Sequence, residues 1–211
     1  MLFYNRQDAA MKLIPYLEKY KGNAGVVLAV PRGGIPVGFY IAKHFKFPME
    51  PLLTKKIGHP WSMELAIGAV SLEDQIIDGR HNLPKAYVEK EIKLLRQMLK
   101  ERYVKFMAGR KPVDLKNKVV IIVDDGIATG NTLLAAIRMI RKKQPEKIVV
   151  AAPVAPTGTA ERIEKEVDDL ICLHTLDNFV GVGLYYADFS QVSDEEVIRL
   201  LEEINRIENT A

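Results

Sequence analysis

The sequence predicts an α/β protein, a single domain with a central, mostly parallel sheet flanked by helices. Three apolar runs predict it. Val119 to Val123 is unbroken and ends on Asp124 and Asp125 and a small-residue turn, Gly126 to Thr132. Val26 to Val30 is a second run, ending on Pro31-Arg32-Gly33-Gly34, and Ile148 to Ala152 is a third. Continuous apolar strands separated by helical patterns indicate parallel strands buried on both faces. Ligands bind at the loops that leave such strands.

In chain order, Phe3 to Lys19 is predicted helical, with Ala9, Leu13 and Leu17 on one face and Asp8 near its start. Asn5 and Arg6 precede that face. Arg6 has two readings, a surface arginine or a contact to an anionic group of a substrate. After the Val26 to Val30 strand, Pro36 opens a helix to Phe45, since its fixed torsion suits a first turn. Gly33 and Gly34 let the backbone approach a ligand closely, and Arg32 adds a charge-assisted donor. Pro51 to Ile57 and Ala66 to Leu72 read as two strands around GHPWSMEL, a β-hairpin or flexible loop over 51–72. Lys55 and Lys56 point to opposite faces by alternation, and Lys56 is the one assigned to a site. In the loop, His59 could be an acid-base group, Trp61 a stacking platform and Glu64 a further contributor. His59 has no patterned carboxylate or cysteine partner, and the histidines at 44, 59, 81 and 174 lack metal-ligand spacing.

Asp78-Gly79 marks a turn, and Pro84 opens a long basic helical segment over 84–108. Val88, Ile92, Leu95, Leu99 and Phe106 form its apolar stripe, suited either to an arm over an active site or to a dimer contact. The Ile148 to Ala152 strand is expected to leave through Pro153 to Gly158. A short helix follows over Glu161 to Val167, then a strand over Leu170 to Leu173. Phe179, Tyr185, Tyr186 and Phe189 make a late aromatic segment that could stack on a planar base. Ser193 to Glu196 resembles a capping box, and Val197, Leu200, Leu201 and Ile204 are the packing face of a closing helix.

With 211 residues, 48% of them hydrophobic and 27% charged, the chain can bury a sizeable core as one domain over 1–211. Asn5, Arg6 and Asp8 interrupt any signal-peptide core, and no run of about 18 apolar residues offers a membrane span. A cytoplasmic location is the expectation. Cys172 is the only cysteine, so no intrachain disulfide or cysteine-based metal site forms, and its thiol is expected to be buried in a strand. The net charge of +3 is uneven: Lys85 to Lys111 holds nine basic residues against three acidic ones. Such a surface suits a polyanion, or is simply a solvated helix face.

The central stretch carries the chemistry. Asp124 and Asp125 can accept hydrogen bonds from vicinal hydroxyls such as those of a ribose. Gly126 and Gly130 permit a tight turn. From Ala128 through Thr129, Gly130 and Asn131 to Thr132, backbone N–H groups at the start of a helix predicted over Thr132 to Lys143, with two threonine hydroxyls, form a phosphate cradle. A diol acceptor beside a phosphate cradle describes a ribose 5-phosphate site. Neither the lysine and spacing of a Walker A loop nor a Gly-x-Gly-x-x-Gly fingerprint is present.

VVIIVDDGIATGNT resembles the phosphoribosyl-pyrophosphate motif of the type I phosphoribosyltransferases. FYNRQDAA, VPRGG and YADFSQ are similar to a group of short phosphoribosyltransferase-like proteins, so the resemblance covers most of residues 1–205. It implies transfer of a 5-phosphoribosyl group from phosphoribosyl pyrophosphate to a small-molecule acceptor, in a homodimer. Mg2+ would be brought mainly by substrate oxygens, without direct protein ligands. Asp124, Asp125, Arg32 and Lys56 would be catalytic, and Ala128 to Thr132 would hold the 5-phosphate. Pro31, Arg32, Gly33 and Gly34 would hold the pyrophosphate, with a cis peptide between Pro31 and Arg32. The loop at 58–64 would close over them. Phe179, Tyr185 and Tyr186 would face the acceptor. Ala128 departs from the relatives that use 6-oxopurines, which carry an aspartate there facing the base. Two alternatives remain: a nucleotide-sensing regulator binding RNA or DNA through residues 85–111, although no nucleic-acid motif is present, and a phosphohydrolase.

Overall fold

A computed structural model describes residues 1–78 and 83–208, without the side chains of 63, 64, 207 and 208. The chain runs α1 (Arg6–Leu17), β1 (Gly25–Ala29), α2 (Gly34–Phe45), β2 (Met49–Pro51), β3 (Thr54–His59), β4 (Ser62–Ser71) and β5 (Gln75–Ile77). It continues through α3 (Lys85–Met107), β6 (Val119–Val123), α4 (Asn131–Arg141), β7 (Lys147–Pro156), α5 (Thr157–Glu164), β8 (Asp169–Leu176) and α6 (Asp194–Glu208). Short 3-10 turns lie at Glu18–Tyr20 and Val182–Tyr185.

Five strands form a parallel sheet in the order β2-β1-β6-β7-β8. Strand alternation divides its apolar residues between two cores. Val27, Ala29, Ile121 and Val123 face the side of α1, α2 and α6, where Leu13, Leu17, Ile35 and Leu201 are buried. Val26, Leu28, Val120 and Ile122 face α4 and α5, against Leu134, Ile137 and Ile163. Each fully buried Val or Ile contributes about 1.5–3 kcal/mol, so the continuous apolar strands supply a large share of the burial that stabilises the fold.

A separate antiparallel sheet, β3-β4-β5, holds the hairpin. The strand expected over Pro51 to Ile57 is therefore split. Pro51 ends β2 in the large sheet, Leu52 N–H donates to Ala29 O at 2.8 Å, and Thr54 starts β3 in the small one. The small sheet packs against α3 and α4. Lys142 pairs with Asp74 at 2.8 Å and Lys143 with Glu73 at 2.6 Å, fastening its β4–β5 turn to the end of α4. Tyr87 of α3 donates its hydroxyl to Gly58 O at 2.9 Å.

Other expectations shift at their edges. Asn5 caps α1, its Oδ1 accepting from Asp8 N–H at 3.0 Å, so the helix starts at Arg6, and Phe3 instead forms a lone bridge with Tyr186. β7 does not exit at Pro153. It runs to Pro156, paired with β8 as far as Leu176. Beyond Ala151 it has lost β6 as a neighbour, and an open edge tolerates proline. The following helix consequently starts at Thr157, earlier than Glu161. α3 buries Ile92, Leu99 and Phe106 as its stripe requires, with Val88 and Leu95 partly covered. Ser193 Oγ accepts from Glu196 N–H at 3.2 Å, and Val197, Leu200, Leu201 and Ile204 are buried as the packing face of α6. Cys172 lies half-buried in β8, with burial pushing its thiol up to about 11. Gly79 of the expected Asp78-Gly79 turn, His81 and the Glu64 side chain lie outside the described residues. Among those residues no helix is long and apolar enough to cross a membrane.

Candidate functional site

Strand order reverses at β1, which has β2 on one side and β6 on the other. The loops that follow β1 and β6 therefore leave the sheet next to each other, at the kind of switch point where open α/β sheets bind ligands. Val30 N–H donates to Val123 O at 2.8 Å, joining the two exits. The Pro31–Arg32 peptide is cis. A Cβ on Gly33 would lie 2.0 Å from Asp125 Oδ2, and one on Gly34 would lie 2.7 Å from Val123 O. The paired glycines are thus required by contact between the first loop and the acidic pair of the second.

Asp125 is buried, and its Oδ2 accepts from Arg6 Nε at 2.7 Å. Arg6 also donates to Ser190 O at 2.8 Å, and its guanidinium lies 4.0 Å over the Phe189 ring. Tyr186 donates its hydroxyl to Asp125 O at 2.6 Å, and Asp125 N–H donates to Asp124 Oδ1 at 2.9 Å. Burial, followed by the negative charge of Asp125, holds the Asp124 carboxyl well above its ordinary value; Asp125 N–H and Arg6 pull the other way without cancelling it. One carboxylate has an internal counter-ion, and its neighbour is primed to gain a cation or a hydrogen-bond donor.

Arg6 is neither a loose surface residue nor open to solvent. It arrives through two segments that pair with each other: Leu2 and Phe3 N–H donate to Tyr185 O at 2.9 and 3.0 Å, Ala187 N–H to Phe3 O at 2.9 Å, and Asp188 N–H to Tyr4 O at 2.7 Å. FYNRQ and YADFSQ are thus two halves of one structure behind the acidic pair. The only hint of this in the sequence is that both motifs accompany the central one.

In the loop between β6 and α4, Gly130 has φ 68°, and a Cβ there would lie 2.7 Å from Thr159 Cγ2. α4 begins one residue later, at Asn131, so its first-turn N–H groups have no intrahelical acceptors. Thr159 Oγ1 donates to Ala128 O at 3.0 Å, and Arg162 Nη2 to Asn131 Oδ1 at 2.8 Å. These two α5 residues, which support the loop from beneath, have no recognisable signal in the sequence. Thr129, Asn131 and Thr132 line a cleft of about 720 Å³ together with Lys56, Asp78 and Arg138. Lys56, rather than Lys55, therefore faces the loop across the cleft.

Arg32 extends toward α6, where its Nη1 lies 3.9 Å from Asp194 Oδ1. Lys105 at 2.7 Å and Arg102 at 3.7 Å share that carboxylate, so part of the basic segment is occupied within the chain. The aromatic candidates separate. Tyr186 is 3% exposed, which corrects its assignment to an acceptor surface: its ring has no open face, and its hydroxyl supports Asp125. Phe189 carries Arg6. Phe179 and Tyr185 are half-buried against each other at 5.5 Å. Trp61 is 82% exposed at the hairpin tip, beside His59.

Among the described residues no three His, Cys, Asp or Glu side chains gather as a metal cage. The acidic side chains at the sheet edge are Asp124 and Asp125, the second already engaged by Arg6, with Asp78 on the wall of the cleft. This donor set fits a magnesium ion that arrives on substrate oxygens and retains waters, because magnesium is commonly held by one or two carboxylates plus substrate phosphates.

Residues 5–190 match the model of the phosphoribosyl transferase domain. A Mycobacterium tuberculosis protein named "Putative phosphoribosyl transferase" is 38% identical over 97% of this chain and 47% of its own length. The chain thus spans about half the length of the curated relatives it matches. The crystal structure of TT1426 from Thermus thermophilus superposes with a TM-score of 0.87 at 33% identity, covering 96% of this chain and 99% of that one. A purine phosphoribosyltransferase from Pyrococcus horikoshii shares the fold, with a TM-score of 0.50 at 18% identity over 91% of this chain and 97% of its own. Loop geometry, acidic pair and family match agree: the chain belongs to the phosphoribosyl transferase domain family.

Proposed function

We propose that the chain is a phosphoribosyltransferase that moves the 5-phosphoribosyl group of phosphoribosyl pyrophosphate to a small-molecule acceptor. The observation carrying this reading is the contact between the Pro31–Gly34 loop and the acidic pair, beside a phosphate loop that opens α4. In the reaction the C1–O bond to pyrophosphate breaks and its electron pair leaves on the pyrophosphate oxygen. The nucleophilic atom of the acceptor bonds C1 from the opposite face. The first turn of α4, with Thr129 and Thr132, holds the 5-phosphate and orients the sugar. Asp124 accepts from the ribose hydroxyls and favours positive character developing on the ring, while Arg6 keeps Asp125 in place beneath it. The Gly33 amide, Arg32 and Lys56 stabilise charge on the leaving group, while Gly34 N–H is engaged by Val30 O at 2.9 Å and holds the loop in shape. Magnesium, when bound, neutralises pyrophosphate charge. Ala128 supplies no base, so an acceptor that is already anionic is the best match.

The test is calorimetric titration of phosphoribosyl pyrophosphate with magnesium into the wild-type chain and Asp124→Asn, each first shown folded by circular dichroism. Binding by the wild type that weakens in the variant supports the reading. Absence of binding to folded wild-type protein overturns it. With acceptors added, release of intact pyrophosphate supports transfer, whereas orthophosphate indicates a phosphohydrolase.

A further inference from the structure

A second cavity, of about 450 Å³, lies where the small sheet, the 111–115 segment and α4 meet. It shares no lining residue with the cleft over the phosphate loop: α4 turns Ala136, Met139 and Ile140 to this cavity and Thr132, Ala135 and Arg138 to the cleft. Leu52, Leu53, Val113 and Leu115 complete an apolar wall. Its size falls within the range of about 300–1,000 Å³ typical of small-molecule sites.

Two polar side chains are sunk into that wall. Glu50 is 6% exposed, with Oε1 accepting from Val113 N–H at 2.6 Å. Tyr103 is 7% exposed, and its enclosed hydroxyl lies near the Glu50 carboxylate without completing a hydrogen bond. Burial, and then the Glu50 carboxylate, push the Tyr103 phenol above its ordinary value. An unpaired buried hydroxyl weakens the fold, and a phenylalanine would fill the same volume without that cost. The charges of the lining select further: Lys143 is paired with Glu73 and Asp74 with Lys142, which leaves Glu50 and Asp114 against Lys111. A phosphate-bearing molecule is disfavoured here, whereas a neutral or cationic ring is accommodated.

We propose that this cavity is a second ligand site, for a compact, unphosphorylated aromatic heterocycle with an N–H donor edge. The ring lies among Leu52, Val113, Met139 and Ile140, its donors meet the Glu50 carboxylate, and a ring acceptor takes the Tyr103 hydroxyl. The site is independent of what the phosphate-loop cleft binds.

The probe is 2-aminobenzimidazole, a planar ring with a fork of N–H donors, titrated calorimetrically into the full chain. Saturable binding of one molecule per chain is expected, unchanged in Asp124→Asn. It should weaken about tenfold or more in Glu50→Gln, weaken measurably in Tyr103→Phe and vanish in Ala136→Trp, which fills the cavity. Indole, of similar size without the donor fork, should bind about tenfold more weakly. Tyr103→Phe removes only an unpaired hydroxyl and should stay folded, so it decides the matter if Glu50→Gln melts. The proposal is overturned if the wild type shows no saturation, or if folded Tyr103→Phe and Ala136→Trp bind the probe as the wild type does.

Discussion

Arg6 Nε lies 2.7 Å from Asp125 Oδ2, joining residues 119 positions apart, and each side chain is only 12% exposed. The pair gives two adjacent, chemically identical carboxylates different environments. Asp125 faces inward to a guanidinium, whereas Asp124 lacks a cation of its own and holds its proton more tightly.

Replacing Arg6 by Gln would leave the Asp125 carboxylate largely buried without its counter-ion. The expected loss of stability is about 3 kcal/mol, read from urea denaturation. Arg6→Lys should recover little of it, because an ammonium cannot span Asp125, Ser190 O and the Phe189 face together. An unchanged denaturation midpoint in Arg6→Gln would show that the pair has no structural weight.

Asp124 makes stability depend on pH in an unusual direction for a carboxylate. Its folded value is raised above the ordinary 3.8, so over the window between them the folded state holds the proton more tightly than the unfolded chain. Stability therefore falls as pH rises through that window. Asp124→Asn should flatten this part of the stability–pH curve and be more stable than the parent at neutral pH. The same substitution should lower affinity for phosphoribosyl pyrophosphate by about tenfold or more, as expected for a lost charged hydrogen bond. A variant less stable than the parent at neutral pH would argue against the raised value.

Much of this arrangement is legible in the linear sequence because it is local. Apolar runs locate β1 and β6, and the residues after each run are the ones that meet at the sheet edge. Contacts between distant segments are not legible in this way. Arg6 on Asp125, Tyr186 beneath it, and Thr159 and Arg162 under the phosphate loop all join separate elements, and no residue spacing announces them. The Pro51 to Ile57 run misleads because periodicity cannot tell which of two sheets a strand joins. Proline misleads in β7 because its cost depends on whether a neighbouring strand is present.

Two glycines of opposite character test the contact between the loops. Gly33→Ala would drive a methyl into Asp125 Oδ2 and should destabilise by about 1–3 kcal/mol. Gly158→Ala, inside α5 with nothing within 4 Å of its added Cβ, should stabilise by about 0.4–1 kcal/mol. Thermal melts of the two variants on one plate should shift in opposite directions.

The lysine pair offers a kinetic comparison. Lys56→Ala should raise the KM for phosphoribosyl pyrophosphate by about tenfold at low salt, and by less at high salt as the charge is screened. Lys55→Ala, whose side chain does not line the cleft, should change it by less than about twofold. Equal effects from both would indicate general electrostatic attraction rather than a positioned contact.

Among the described residues, no backbone ladder joins the small sheet to the large one. Tilting the small sheet therefore breaks no ladder hydrogen bond. Resistance comes from apolar contact and a few side-chain clasps, Lys142–Asp74 and Lys143–Glu73 among them. The 720 Å³ cleft and the 450 Å³ cavity adjoin the same plate and the same helix. The small sheet is thus a plate that walls both spaces while being fixed by side chains rather than by backbone.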